Sequence, residues 1–130
     1  MKRLFKIITV FFTAVFLTCC TGASDFDHGY RQISVDEAKQ IMATAEGYII
    51  LDVRRADEYA EGHIPGAINI PNESIGEEDI PQLPDKAQLI LVYCRSGRRS
   101  KEAAEKLSKL GYTNIAEFGG ILDWNGEIVK

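Results

Sequence analysis

The residues best placed for covalent chemistry stand in one short segment, Cys94-Arg95-Ser96-Gly97-Arg98-Arg99-Ser100. The segment joins a β-prone run to an amphipathic one, so we expect it to turn its backbone amides inward at the start of a helix, where anions bind. Gly97 supplies the backbone freedom that such a turn needs. The amides, the helix dipole and the guanidinium groups of Arg95, Arg98 and Arg99 all favour a thiolate over a thiol at Cys94. The segment therefore predicts a nucleophilic cysteine in an anion-binding loop.

The overall charge makes this basic segment stand out. The chain has 130 residues, enough for one domain, with 45% hydrophobic and 26% charged residues, as in ordinary globular proteins. Lys2, Arg3 and Lys6 are three of its 15 basic residues, so 12 basic residues face all 19 acidic ones in the remainder, a formal charge of −7. Such an acidic chain argues against a nucleic-acid partner. The alternative, that Cys94 is only a small buried hydrophobe, leaves the arginines unexplained.

The N-terminus has the layout of a secretory signal peptide. Lys2, Arg3 and Lys6 precede an uncharged, largely apolar run over residues 7–17. This run is about half the length of the roughly 20 residues that a membrane-spanning helix requires. We therefore assign residues 1–19 to a signal peptide, which predicts export.

Two cysteines follow this run at once. Leu17-Thr18-Cys19-Cys20 resembles the lipobox of bacterial lipoproteins, in which the cysteine after the cut, here Cys20, carries the lipid. Cys19 departs from the pattern, because a glycine, alanine or serine usually precedes the cut, and a plain signal peptide is the alternative. The prediction is a lipoprotein of the periplasm or cell envelope, anchored to the membrane through Cys20, with residues 20–30 as a polar tether. Detergent phase partitioning distinguishes the two forms.

Processing at this position would leave one thiol in the mature protein. Of the three cysteines in the sequence, Cys19 would be removed and Cys20 lipidated, so Cys94 alone would remain free. An intramolecular disulfide is then impossible, and a dithiol redox protein lacks its second, resolving cysteine. An unpaired cysteine in an exported protein points to a reactive thiol.

The elements that must position Cys94 alternate between strands and helices. Ser34 and Glu37 form a capping box that begins a helix, which Gly47 ends. Four β-prone runs follow, over residues 48–53, 67–70, 87–93 and 114–118. Three helices separate or follow them: a short one over residues 57–60, an amphipathic one after the Cys94 segment that Gly111 ends, and a short one through Trp124. Residues 76–84 are assigned to a loop with at most one helical turn.

This alternation predicts an α/β domain over residues 31–130, with a parallel sheet and helices on both faces. Ligands of such sheets bind at the carboxyl ends of the strands. Cys94 follows a predicted strand directly, so the arrangement places it at this edge of the sheet.

Six motifs together resemble those of the rhodanese domain, in the order of that family. They are Leu51-Asp52-Val53-Arg54, Glu58-Tyr59, Gly62-His63-Ile64-Pro65-Gly66-Ala67, Asn69-Ile70-Pro71, the Cys94 segment, and Gly119-Gly120 with Trp124. The resemblance covers roughly residues 32 to 125. It implies a five-stranded parallel sheet and sulfurtransferase activity of the thiosulfate:cyanide type, with Cys94 carrying a persulfide. It implies neither a metal nor an organic cofactor, and the single repeat resembles the small stand-alone members.

The types of the other loop residues predict their roles. Arg95, Ser96, Gly97, Arg98 and Arg99 would bind a small anionic sulfur donor, with Arg95 and Arg99 expected to face it. A thiophilic acceptor would then remove the sulfur, and we expect the protein to work as a monomer.

Three residues outside the loop receive structural interpretations. We expect a buried Asp52 to cap loop amides, because buried charges need partners. A thiolate that its loop already stabilises needs no base, so His63 is expected to hydrogen-bond nearby backbone instead. Trp124 is expected to cover the core or the rim of the pocket.

Two rival functions remain open. A cysteine phosphatase would use the same cradle for phosphate, but its cysteine and arginine are separated by five residues, and Ser100 occupies that arginine's position here. A non-catalytic rhodanese-type binding module would be expected to lack the loop cysteine, which is present.

Overall fold

The computed structural model describes residues 29–130, which form ten short elements. The strands are β1 (Arg31–Gln32), β2 (Ile49–Asp52), β3 (Ile68–Asn69), β4 (Ile90–Cys94) and β5 (Ile115–Gly120). The helices are α1 (Val35–Thr44), α2 (Ala56–Glu61) and α3 (Arg98–Lys109), and two 3-10 turns span Asn72–Ser74 and Ile121–Asp123.

The five strands form one parallel sheet in the order β1-β5-β4-β2-β3. The predicted α/β class and the parallel five-stranded sheet are confirmed. Strand β4 lies at the centre of the sheet and is buried along its whole length, which is why its sequence is a continuous apolar run. Its carboxyl end carries Cys94, as predicted.

Helices cover both faces of the sheet, because alternate residues of β4 point to opposite sides. On one face, Ile90, Val92 and Cys94 pack in a cluster with Ala103, Ala104 and Leu107 of α3. On the other face, Leu91 and Tyr93 pack with Ala38 of α1, and Tyr59 of α2 lies against the same cluster. Cys94 therefore faces α3, the helix that begins directly after its loop.

Several element boundaries differ from the prediction. Strand β4 begins at Ile90 rather than Ala87, because the Asp85 side chain and carbonyl accept the amides of Ala87 and Gln88 in a turn. Helix α1 ends at Thr44, where Ala45 already has extended backbone, and Gly47 makes the turn into β2 with a φ of 71°. A 3-10 turn at Asn72–Ser74 precedes the loop in which a helical turn was allowed.

The capping box of Ser34 and Glu37 is confirmed in both directions, with hydrogen bonds of 2.7 and 3.1 Å. The short helix predicted through Trp124 is a 3-10 turn that ends at Asp123. Tyr30, at the end of the predicted tether, is buried in the α3-side cluster. The predictions for the signal peptide and for Cys20 lie outside the described residues. Within residues 29–130, no helix has the length and hydropathy needed to cross a bilayer.

Candidate functional site

The Cys94 sulfur lies at the centre of a tight loop between β4 and α3. Its residue is 1% exposed, and the backbone amide of Gly97 donates a hydrogen bond to Sγ over 3.0 Å. Gly97 has a φ of 112°, a left-handed conformation that residues with a side chain rarely adopt, and it is the N-cap of α3. The sulfur therefore sits at the amino end of a helix, where N–H groups and the helix dipole stabilise negative charge.

The carboxyl end of strand β5 packs against this loop. Gly120 pairs with Cys94 after an irregularity in the β4–β5 register, and the Leu122 amide donates to the Arg95 carbonyl over 3.2 Å. A Cβ on Gly120 would overlap the Arg95 carbonyl and lie 2.6 Å from the Ser96 amide nitrogen. The loop thus rests directly on the glycine backbone, which explains the need for glycine at this position.

The three loop arginines have different surroundings. Arg98 pairs with Glu102 across one turn of α3 and is exposed. Arg95 is exposed, and within residues 29–130 its side chain has no hydrogen-bond or ion-pair partner. Arg99 is largely buried and bonds both oxygens of Glu58. Arg98 is therefore a helix-surface residue. Arg95 is an available cation, and Arg99 is a fixed cation.

The fixed cation lies close enough to Cys94 for the two charges to interact. The hydrogen bonds and charge of Glu58 raise the pKa of Arg99, and the charge of Cys94 adds to this effect. The two Arg99–Glu58 bonds measure 2.6 and 3.0 Å, a bidentate geometry that fixes the guanidinium plane. Arg99 in turn lowers the pKa of Glu58 from 4.5 to about 2. The pair ties α2 to the first turn of α3 and keeps a positive charge near Cys94.

The Glu58–Arg99 pair gives the stability of the domain a defined pH dependence. Because the folded pKa of Glu58 lies below its ordinary value, its contribution is complete above pH 4.5 and is lost as the pH falls toward 2. Glu58→Gln is expected to lower the free energy of unfolding at pH 7 by about 1–2 kcal/mol. In urea titrations its difference from wild type should shrink below pH 4.5. Glu61→Gln, an exposed change in the same helix, is the control, and an equal deficit for Glu58→Gln at pH 7 and at pH 2.5 would contradict this account.

A second buried network braces the neighbouring strand ends. Asp52 at the end of β2 accepts from Arg54 over 2.7 Å and from the Tyr93 hydroxyl over 2.7 Å, while Arg54 also donates to the Gly62 carbonyl. Burial raises the pKa of Tyr93 above its ordinary range, and the bond to Asp52 acts in the same direction, so Tyr93 remains a donor. The Arg54 amide bonds Asp52 over 2.9 Å, so the predicted capping role of this aspartate is confirmed.

His63 and Trp124 occupy structural positions. The Nδ1 atom of His63 lies 2.9 Å from the Tyr59 carbonyl oxygen, and its ring stacks on the Tyr59 ring with centroids 3.7 Å apart. The expected bond from His63 to backbone is thus confirmed. Trp124 packs against Phe118 on the face of the sheet opposite Cys94, so it covers the core.

One buried acidic residue beside the loop escaped the sequence analysis. Glu117 of β5 is 2% exposed, and its Oε1 atom accepts from the Ser100 hydroxyl over 2.6 Å and from the Gly119 amide over 2.7 Å. Ser100 is fully buried, and its oxygen lies 3.4 Å from the Cys94 sulfur. A single carboxylate within an apolar β-prone run, Ile115-Ala116-Glu117-Phe118, was the signal that could have identified it.

A cavity of about 540 Å³ lies away from this loop. Its lining includes Glu77, Glu78 and Asp79. Three carboxyl side chains make a poor environment for a small anion, since like charges repel. The Cys94 loop, with its amides and its arginines, is the better candidate site.

Comparison with known proteins gives a consistent result. The model of the rhodanese-like domain family matches residues 34–127. The thiosulfate sulfurtransferase PspE of Escherichia coli is 42% identical over 73 residues, covering 56% of this chain and 70% of that protein. A thiosulfate:glutathione sulfurtransferase of Saccharomyces cerevisiae is 33% identical over 108 residues, covering 72% and 77%. A solved structure described as rhodanese with anions from E. coli is 40% identical with a TM-score of 0.59, covering 64% and 98%.

Proposed function

The chain belongs to the rhodanese-like domain family, and from this premise we propose that it transfers sulfane sulfur from thiosulfate, or a similar anionic donor, to a thiophilic acceptor through a persulfide on Cys94. The observation that carries the proposal is the 3.0 Å hydrogen bond from the Gly97 amide to the Cys94 sulfur. In this bond the Cys94 sulfur is the acceptor at a helix N-terminus, an arrangement that stabilises a thiolate once the proton has left.

The proposed reaction has two displacement steps at sulfur. In the first, the Cys94 thiolate attacks the outer sulfur of thiosulfate; a new S–S bond forms, the old one breaks, and sulfite leaves with the bonding electron pair. In the second, an acceptor such as cyanide attacks the outer sulfur of the persulfide and leaves as thiocyanate. The second step regenerates unloaded Cys94, so neither oxidant nor reductant is consumed.

The surroundings of the loop suit a sulfur donor better than a phosphoryl group. The position at which a cysteine phosphatase would carry its arginine is Ser100, which is fully buried and bonded to Glu117. Its side chain therefore cannot clamp the equatorial oxygens of a phosphoryl group. A non-catalytic binding module would take up no sulfur, so sulfur uptake by Cys94 distinguishes a sulfurtransferase from it.

Steady-state kinetics test the proposal. With thiosulfate varied at several fixed cyanide concentrations, thiocyanate formation should give parallel double-reciprocal lines, because sulfite leaves before the acceptor reacts. Intersecting lines would mean that both substrates bind before any sulfur moves, and the persulfide would then not be an intermediate of this reaction.

The available cation and the fixed cation should both contribute to donor binding. Arg95→Ala and Arg99→Ala are each expected to raise the KM for thiosulfate several-fold, more than they lower kcat, because an attraction present before the chemical step is removed. Added salt should likewise raise the KM of the wild-type protein for thiosulfate. Salt screens the exposed charge of Arg95 more than that of Arg99, so most of this effect should come from Arg95.

Arg55→Ala removes a cation that pairs with Asp57 at the surface, and it serves as the control for total charge. Unchanged thiosulfate kinetics in both loop variants would show that the arginines do not bind the donor.

A further inference from the structure

Glu117 is a buried titratable group that the two displacement steps do not use. It lies on β5, and its carboxylate has two described donors, the Ser100 hydroxyl and the Gly119 amide. Both donors are neutral, so within residues 29–130 no hydrogen bond from a cation compensates the burial of this charge. Burying a carboxylate is costly unless its hydrogen bonds are strong. The stability of the buried Glu117 carboxylate therefore depends on the hydrogen bond that the Ser100 hydroxyl donates.

The Ser100 hydroxyl has one proton and four neighbouring atoms that could accept it. These are Glu117 Oε1 at 2.6 Å, the Gly97 carbonyl at 2.9 Å, the Gly119 carbonyl at 3.2 Å and the Cys94 sulfur at 3.4 Å. The carboxylate oxygen is the nearest of the four by 0.3 Å or more and carries a charge, and such O–H···O⁻ bonds are about twice as strong as neutral ones. The proton therefore points to Glu117, and a lone pair of the oxygen faces the sulfur.

This orientation determines which form of Cys94 fits at rest. A thiol can donate its proton to the lone pair of Ser100, completing a chain from Sγ–H to Oγ–H to Oε1. A thiolate would instead face that lone pair, or would have to draw the Ser100 proton away from Glu117. The groups that oppose this effect are the Gly97 amide and Arg99, which favour the thiolate. Burial raises the pKa of nearby Tyr30 and the charge of Glu117 adds to this effect, so Tyr30 remains neutral.

We propose that Glu117, acting through the Ser100 hydroxyl, is a positioning residue that holds the unloaded Cys94 as a thiol and takes up its proton when sulfur is loaded. This deepens the proposed function, because it concerns the same cysteine. During loading, Sγ gives its proton to Ser100 Oγ and Ser100 gives its own proton to Glu117. Sγ then bonds the outer sulfur of thiosulfate as sulfite leaves. The negative charge of the pair moves from Glu117 to the outer sulfur of the persulfide, and the total charge is unchanged.

The direct test is alkylation of the unloaded protein with iodoacetamide at pH 7. In Glu117→Gln the amide fills the same space but is uncharged, so it attracts the Ser100 proton less strongly than the carboxylate does. The Ser100 proton can then turn to the Cys94 sulfur, and the fraction of Cys94 present as thiolate should rise. We expect alkylation to be roughly tenfold faster, the factor that one charge-assisted hydrogen bond contributes. Glu105→Gln removes the same charge from the exposed face of α3 and should alkylate at the wild-type rate.

Ser100→Ala shows whether the hydroxyl transmits the effect. In a Ser100→Ala background, adding Glu117→Gln should change the alkylation rate less than twofold, because the connecting hydroxyl is absent. If Glu117→Gln accelerates alkylation equally in both backgrounds, or not at all in either, the chain through Ser100 is refuted. Iodoacetamide needs no sulfur donor, so this outcome is separate from a failure of sulfur transfer.

Infrared difference spectroscopy tests the proton uptake in the wild-type protein itself, with Glu117→Gln needed only to assign the band. Loading the wild-type protein with sulfur should produce a protonated-carboxyl band that is absent from Glu117→Gln. A loaded wild-type protein, confirmed by mass, that shows no such band would overturn the proposal.

Discussion

Replacing Cys94 by serine is expected to abolish thiocyanate formation from thiosulfate and cyanide, with a loss of roughly a thousandfold or more, as when an enzyme loses its nucleophile. A serine hydroxyl has nearly the size of the thiol, but it does not ionise near neutral pH and forms no stable bond to a sulfane sulfur. The Cys94 side chain is almost fully buried, and a serine hydroxyl could donate the same hydrogen bond to Ser100. The domain should therefore keep its fold.

Two measurements separate chemistry from folding in this variant. Thiocyanate is measured as its coloured iron complex, and thermal unfolding is followed by circular dichroism. We expect lost activity with a melting temperature within a few degrees of wild type, since the change in the core is nearly isosteric. If Cys94→Ser retained a tenth of wild-type activity, sulfur would have to travel by another residue, and the two-step mechanism would be wrong.

Gly120→Ala is expected to reduce activity by about a hundredfold although it adds only one methyl group. The new Cβ would overlap the Arg95 carbonyl, and backbone cannot turn aside as the end of a side chain can. The loop must therefore move away from β5, which carries the Gly97 amide away from the Cys94 sulfur. Displacements of about 1 Å at reacting groups lower rates by about this factor.

Gly76→Ala is the matched control for this change. A Cβ there meets nothing within 4 Å, and no positive φ requires glycine at that position. It should leave kcat, KM and the melting temperature unchanged. Activity of Gly120→Ala within twofold of wild type would show that the loop tolerates displacement and that its amides do not set the rate.

The sheet was predictable because its central strands have simple sequence patterns. A strand buried on both faces reads as an unbroken apolar run, and Ile90–Cys94 has this pattern. The loop was predictable from its composition and position. A cysteine, a glycine and arginines between such a strand and an amphipathic helix indicate an anion-binding loop. The two-residue strand Arg31–Gln32 carries no such pattern, because two residues cannot show a period.

Contacts between distant segments of the chain were not predictable from these patterns. The expectation that Arg99 faces the donor rested on the loop alone, and it could not anticipate that Glu58, 41 positions earlier, holds its guanidinium. The pairing of Arg98 with Glu102 follows from helical spacing and could have been recognised. Glu117 meets Ser100 only because β5 lies beside β4, a matter of strand order rather than of local sequence.

The most direct test of the sulfurtransferase account is the mass of the protein after incubation with thiosulfate and removal of the small molecules. We expect one added sulfur atom, about 32 Da, located on the peptide that contains Cys94 and released as thiocyanate on addition of cyanide. A protein that takes up no sulfur from thiosulfate or any other common donor, yet hydrolyses an aryl phosphate in a manner that Cys94→Ser abolishes, would contradict the account and establish a cysteine phosphatase instead.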